Sequence, residues 1–172
     1  MIRLVSITEE AFDRVYDKMV TAFPYEERRD RSDQKDCIGK EYFSFLEIFD
    51  DNSPVGFISL WSFPEFLYIE HFAIDVNCRS HGYGSLVLQK IKDEYKKPVI
   101  LEAEIPLTTE QIKRIVFYDR NGFKVNSFPY IQPSYHGGEG VPLNILSFPR
   151  LLTDEEYNTF LRHTRKNVYC TD

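Results

Sequence analysis

What this sequence lacks narrows its reading before any motif is considered. Cysteine is scarce: Cys37, Cys78 and Cys170 form an odd set with no CxxC spacing. That spacing gives no disulfide framework and no cysteine zinc site, and the three read as reduced thiols. No metal site is expected. No apolar run approaches the roughly 20 residues that a membrane-spanning helix needs. The opening Met1-Ile2-Arg3-Leu4-Val5 shows neither the apolar stretch nor the cleavage pattern of a signal peptide, so a cytoplasmic location away from membranes is the expectation. Basic residues are the minority, 21 against 27 acidic, for a net charge of −6. General nucleic-acid binding needs a basic footprint and is not expected. There is no GKS or GKT for a phosphate-binding P-loop.

What is present fits one α/β domain. A chain of 172 residues can bury one substantial core. Its aromatic fraction, 15%, is high, enough to furnish a core and leave rings over for a pocket. Residues 2–7 read as a strand, and Thr8 as the cap of a helix with Phe12, Val15, Tyr16, Met19 and Phe23 at helical spacing. Charged residues 25–36 show no periodicity and read as a solvated loop. Strands are expected at 42–49, 54–61 and 66–75, the first two as a hairpin around Asp51-Asn52. Alternation then places Tyr68, Glu70, Phe72 and Ile74 on one face and His71 on the other.

A helix beyond Gly84 carries Val87, Leu88 and Ile91, and 99–104 is a strand. Thr108 with Gln111 has capping-box spacing before a helix expected to bury Ile112, Ile115 and Val116. Residues 123–128 and 143–148 are strands around a proline- and glycine-rich loop. A last helix, capped at Thr153, runs to about Lys166. The expectation is one domain over residues 1–150 with an appended helix, built on a mixed, mostly antiparallel sheet flanked by helices. That helix covers the core or makes a homodimer contact.

The chemistry concentrates in Arg79-Ser80-His81-Gly82-Tyr83-Gly84, where a strand enters a glycine turn that opens a helix. Backbone N–H groups without intrahelical partners converge there, and the helix dipole favours an anion. Glycine lets that anion approach the backbone. Arg79 and His81 add charge. By itself the pattern also fits a plain strand–helix junction. It lacks the third glycine of the dinucleotide fingerprint, and Glu102 and Glu104 fit that fingerprint's ribose-binding acid only loosely.

Arg79-x-x-Gly82-x-Gly84, taken with Phe117-Tyr118-x-x-x-Gly122-Phe123, resembles the GCN5-related N-acetyltransferase (GNAT) family. The resemblance follows element order to about residue 148 and is sharpest over 66–123. It implies the acyl-CoA N-acyltransferase fold, acetyl-CoA as cofactor, and transfer of the acetyl group to a primary amine in a ternary complex. It places the acetyl-CoA pyrophosphate on Arg79 to Gly84 with Ser85. The backbone near Phe72, Ala73 and Ile74 then lies at the thioester carbonyl, and backbone at Ile74 and Val76 along the pantetheine. Tyr118 becomes the general acid for the leaving thiolate, beside Phe117. Family members commonly carry Asn and Ala where this chain has Gln111 and Arg114. Gln111 falls at the pantetheine contact, and Arg114 replaces that contact or reaches a phosphate.

Glu70 is the candidate base, a carboxylate among aromatics; a surface glutamate or a pair with a basic neighbour is the other reading. His136 and water are further candidates. The acceptor pocket of such a domain draws on the segment after the first helix and on the last inter-strand loop, which here supply Tyr25, Glu26 and Arg28, then Tyr130 and Tyr135. The acceptor is a small-molecule or peptide amine. A non-catalytic acyl-CoA-binding sensor or interaction module is the alternative, and an enzyme using the glycine turn for another nucleotide is a third.

Overall fold

The computed structural model describes residues 1–171. It is an α/β structure with eight strands and five α-helices among those residues, and its contacts group into two compact units, Met1–Lys97 and the chain from Pro98 onward. No described helix is long and apolar enough to cross a membrane.

In the first unit, β1 (Ile2–Ser6), β2 (Phe43–Asp50), β3 (Ser53–Ser62) and β4 (Leu67–Ile74) form a continuous antiparallel meander. Helix α1 (Glu9–Ala22) begins where the Thr8 side chain accepts from the Ala11 N–H, satisfying an orphan donor of the first turn. It buries Phe12, Val15, Tyr16 and Met19, with Phe12 edge-on to Phe45 at 6.3 Å. Helix α3 (Tyr83–Tyr95) buries Val87, Leu88 and Ile91 as its spacing predicts.

Charged segment 25–36 is not the solvated loop its composition predicts. Tyr25–Glu27 is a 3-10 turn and Arg31–Asp36 a short helix, α2, with Arg29 and Gln34 buried. Long-range bonds order it. The Tyr16 hydroxyl donates to Arg29 O (2.8 Å), and His71 Nε2 lies 2.9 Å from Glu27 O. Local periodicity carries no trace of such ties.

In the second unit, β8 (Val141–Phe148) is the hub. It pairs antiparallel with β5 (Val99–Glu104), with β6 (Lys124–Val125) and with β7 (Tyr130–Gln132). The strand expected over 123–128 shrinks to β6, and β7 rises inside the expected loop. Helix α4 (Thr109–Arg120) has the predicted Thr108–Gln111 capping box. Its apolar stripe differs from expectation: Ile112 and Val116 are 51% and 41% exposed, and Tyr118 is its buried side chain. Helix α5 (Asp154–His163) has the second box, Thr153–Glu156. It packs on its own unit, with Phe160 buried near Tyr130 and Tyr157 stacked on Phe128 at 4.1 Å.

Candidate active site

The turn after β4 is built to leave a helix start open. The Asp75 N–H bonds to Val55 O (2.9 Å), and Val76–Cys78 makes one 3-10 turn. Arg79 Nε returns to Ile74 O at 3.2 Å, tying the exposed guanidinium to the strand end. The His81 ring braces the turn, with Nδ1 at 2.8 Å from Arg79 O and 3.2 Å from Cys78 O. Ser80 (φ 66°) and Gly82 (φ 80°) take left-handed backbone, which glycine adopts at little cost. Tyr83 donates to Asp50 Oδ2 at 3.0 Å, and that bond holds its phenol above the usual tyrosine range.

Helices α1, α4 and α5 each have a threonine side chain on the first turn, whereas α3 starts at Gly82 with no side-chain cap, as does the six-residue α2 at Asp30. Nothing lies within 4 Å of where a Gly82 Cβ would stand. An uncapped N-terminus, a missing Cβ over open space and an adjacent arginine fit an anionic phosphate group.

β4 carries Phe72, Ala73 and Ile74 into this turn, opposite Ile58, Phe57 and Gly56 of β3. No sequence motif marks Gly56. A Cβ there would stand 2.3 Å from Ala73 O and 3.1 Å from Ile74 Cα, so only glycine lets β3 lie this close. Gly56→Ala is expected to displace the Ala73 carbonyl and cost about 1–3 kcal/mol, the range for overpacking. Thermal unfolding checks it, and an unchanged melting temperature would refute the close approach.

Glu70 lies elsewhere than alternation predicts. Leu60 pairs with Ile69 and Ser59 with His71, leaving Glu70 as the extra residue of a β-bulge. Parity breaks there, so Tyr68 and Phe72 are not on one face, and Glu70 and His71 turn the same way, with Oε2 and Nδ1 4.0 Å apart. Ser59 Oγ takes the His71 N–H at 3.1 Å and lies 3.0 Å from Nδ1. Its own hydrogen therefore points to Nδ1, and Nε2–H donates to Glu27 O. Burial, the largest cause, lowers the His71 pKa.

The Glu70 carboxylate is fully enclosed. It pairs with Arg29 Nη1 at 2.7 Å and accepts from Trp61 Nε1 at 2.8 Å. Arg29 also reaches Gln34 Oε1 at 3.3 Å. Neither Arg29, Gln34 nor Trp61 carried a signal in the sequence that tied it to Glu70. Of the expected acceptor residues in this unit, Tyr25 and Glu26 are exposed. Arg28 lies over the Tyr25 ring (5.6 Å) and donates to the Tyr16 hydroxyl (3.0 Å).

In the second unit, Tyr118 is buried near the end of α4, edge-on to Phe117 and Phe123 at 5.2 and 5.7 Å. Burial pushes its phenol up to about 12; Arg114 pulls it down and Glu104 pushes it up. Arg114 is ion-paired with Glu104. Gln111 Oε1 caps the helix, accepting from the Leu107 and Thr108 N–H groups at 2.8 and 2.9 Å. Both departures from the family pattern thus have local structural employment. Tyr130 is buried and donates to Glu102, while Tyr135 meets the Tyr169 ring at 5.1 Å.

Residues 8–123 match the family model described as the acetyltransferase (GNAT) family. A solved Bacteroides thetaiotaomicron protein assigned to the GNAT acetyltransferase family is 31% identical, with 99% of each chain covered and a TM-score of 0.91. The ribosomal-protein-S18-alanine N-acetyltransferase of Escherichia coli is 17% identical over 90% of this chain and 97% of that one, TM-score 0.64. A Bacillus subtilis acetyltransferase in complex with CoA is 15% identical over 85% and 95%, TM-score 0.56. At those identities the last two show the fold alone. No curated protein sequence matches.

Proposed function

Because the chain belongs to the GNAT acetyltransferase family, we propose that it transfers the acetyl group of acetyl-CoA to a primary amine by direct attack in a ternary complex. The observation that carries this reading is the uncapped start of α3 behind Arg79-Ser80-His81-Gly82-Tyr83-Gly84. Acetyl-CoA supplies an activated thioester. In the reaction the amine nitrogen bonds to the acetyl carbon, the carbon–sulfur bond breaks, and one proton passes from nitrogen to the leaving sulfur. The backbone from Gly82 to Ser85, with Arg79, is assigned to the pyrophosphate. The strand backbone at Phe72, Ala73 and Ile74, continuing to Val76, is assigned to the thioester and pantetheine, and Phe117 to the same cofactor. Gln111 and Arg114 are assigned to shaping α4, since the bonds above already engage them.

Tyr118 is assigned as the proton donor. Its pKa near 12 keeps it protonated at any working pH. Glu70 is the weaker choice for the base. A proton there would dissolve the buried pair with Arg29. That favours His136 or water for taking the amine's proton, with Glu70 as an anchor of segment 25–31.

Calorimetric titration with acetyl-CoA, CoA and NAD tests the cradle, and thiol release with a broad amine panel tests the reaction. Binding of both CoA species but not NAD, with thiol release, is expected. CoA binding without release for any amine would leave an acyl-CoA-binding module. Gly82→Ala should weaken CoA about ten-fold or more, the size of one lost hydrogen bond to a charged group. Its cost to folding should be about the 1–2 kcal/mol of the positive φ, because beyond the chain neighbours no protein atom lies within 4 Å of the new Cβ. An unchanged CoA affinity would move the phosphate site elsewhere.

A further inference from the structure

The first turn of α3 has to be ordered without being capped. In α1, α4 and α5 a threonine oxygen accepts an N–H of the first turn and so fixes it. At α3 such an acceptor would occupy the N–H groups that a phosphate needs. Helix ends fray when nothing holds them.

What holds this one comes from the side. Tyr83 is the first residue of α3, and its hydroxyl donates to Asp50 Oδ2 at 3.0 Å. Asp50 ends β2 and is a firm anchor, paired with Ile2 of β1 on one side and with Ser53 of β3 on the other. Its Oδ1 accepts from the Met1 ammonium at 2.9 Å. That bond first, and the one from Tyr83 second, hold the Asp50 carboxyl below its usual range. The acceptor is therefore an ionised carboxylate at neutral pH.

The brace continues along the turn. The His81 ring stacks on the Tyr83 ring, with centroids 5.9 Å and planes 24° apart. His81 Nδ1 in turn meets the carbonyls of Arg79 and Cys78. Both partners are acceptors, so the hydrogen sits on Nδ1. Contacts thus run from the sheet through Asp50, Tyr83 and His81 to the backbone of the turn. None of these bonds uses an N–H of the α3 first turn.

We propose that Tyr83 and Asp50 are positioning residues for the cofactor: their hydroxyl–carboxylate bond holds the first turn of α3 in the form that receives the pyrophosphate of acetyl-CoA. This rests on the acetyl-transfer reading above. A turn already ordered binds without the entropy loss of ordering it, and affinity falls with the fraction of molecules in which the turn is formed. The sign of the effect separates a strut from plain electrostatics. On charge alone, a carboxylate beside an anion site repels the anion, and removing Asp50 would tighten CoA binding. Removing a strut weakens it.

The test is calorimetric titration with CoA, joined to amide hydrogen exchange of the ligand-free protein by NMR. The Leu86 N–H, bonded to Gly82 O at 3.2 Å, closes the first turn and reports on it. Tyr83→Phe keeps the ring beside His81 and loses the hydroxyl. It should weaken CoA about five- to ten-fold, up to the weight of one hydrogen bond, and speed Leu86 exchange. Asp50→Ala should weaken CoA by a similar factor, and the double variant no further, because the two side chains act through one bond. Asp50→Asn keeps an acceptor for the hydroxyl and should restore most of the affinity. The Met1 ammonium loses a charged partner in both Asp50 variants, so their difference isolates the Tyr83 bond. A bond that served stability alone would lower the melting temperature and leave CoA affinity unchanged. That result in Tyr83→Phe, tighter binding by Asp50→Ala, or additive losses in the double variant would overturn the strut. Exchange reads the turn without ligand. No CoA binding by the unmodified protein would refute the cofactor reading, whereas Leu86 exchange unmoved by Tyr83→Phe would refute the strut alone.

Discussion

Arg29→Ala is expected to lose about 3–5 kcal/mol of unfolding free energy in urea titration, the cost of stranding one member of a buried ion pair. The side chains of Arg29 and Glu70 are 6% and 0% exposed and meet at 2.7 Å. Truncation leaves the carboxylate with the Trp61 N–H at 2.8 Å and without its guanidinium. It also takes from Gln34 Oε1 the Arg29 bond at 3.3 Å. Glu70→Ala should cost a similar amount, because it strands the opposite charge. Replacing both, as Arg29→Met with Glu70→Leu, should recover most of the loss, since apolar pairs of similar volume often substitute for buried ions without penalty. A loss below about 1 kcal/mol for Arg29→Ala would be the behaviour of a surface pair and would contradict the burial on which this assignment rests. The prediction bears on chemistry as well. If Glu70 anchors segment 25–31, Glu70→Gln should lower stability more than it alters the pH dependence of turnover. A base would show the reverse.

The devices that sequence made visible are those whose partners lie within a few residues. Thr108 reads forward to Gln111 and Thr153 to Glu156, and both boxes form. Arg79 to Gly84 is legible for the same reason: a strand end, a glycine turn and a helix start are all local. The β-bulge at Glu70 is different in kind. It exists because Leu60 pairs with Ile69 while Ser59 pairs with His71, and alternation along a single strand cannot contain that information. Alternation therefore holds up to the bulge and inverts beyond it. Segment 25–36 read as solvent-facing because what holds it, His71 and Glu70, lies some forty residues on. Nothing local ties Glu102 to its surroundings, since side chains that bond it come from positions 28 to 67 residues away. The helix expected to reach about Lys166 stops as α5 at His163, and the π-helix over Thr164–Tyr169 leaves no local trace, because a helical stripe persists in the sequence whichever way its last turn winds.

Tyr118→Phe is the substitution with the largest expected effect on chemistry: turnover should fall about 10²-fold or more, the usual weight of a general acid, with CoA affinity nearly unchanged. The variant removes one oxygen and keeps the ring against Phe117 and Phe123 at 5.2 and 5.7 Å, so the fold is retained. Burial lifts its pKa to about 12 against the opposing pull of Arg114, so the hydroxyl keeps its hydrogen. A phenol at that value is a weak acid toward a thiolate whose own pKa is roughly 8.5, so it acts by holding its hydrogen on the sulfur as charge develops there. Two pH consequences follow. Between roughly pH 7 and 10 the turnover of the unmodified protein should rise as the amine deprotonates and show no descending limb from Tyr118. Stability behaves oppositely at higher pH. The raised pKa means that Tyr118's contribution to folding is fully present below about 10, its unfolded value, and is lost as pH rises through about 12. Alkaline unfolding should therefore be shallower in Tyr118→Phe. Equal loss of turnover and CoA affinity would make Tyr118 a packing residue of the cofactor site, because a group acting only on the leaving thiolate changes the rate and not the binding.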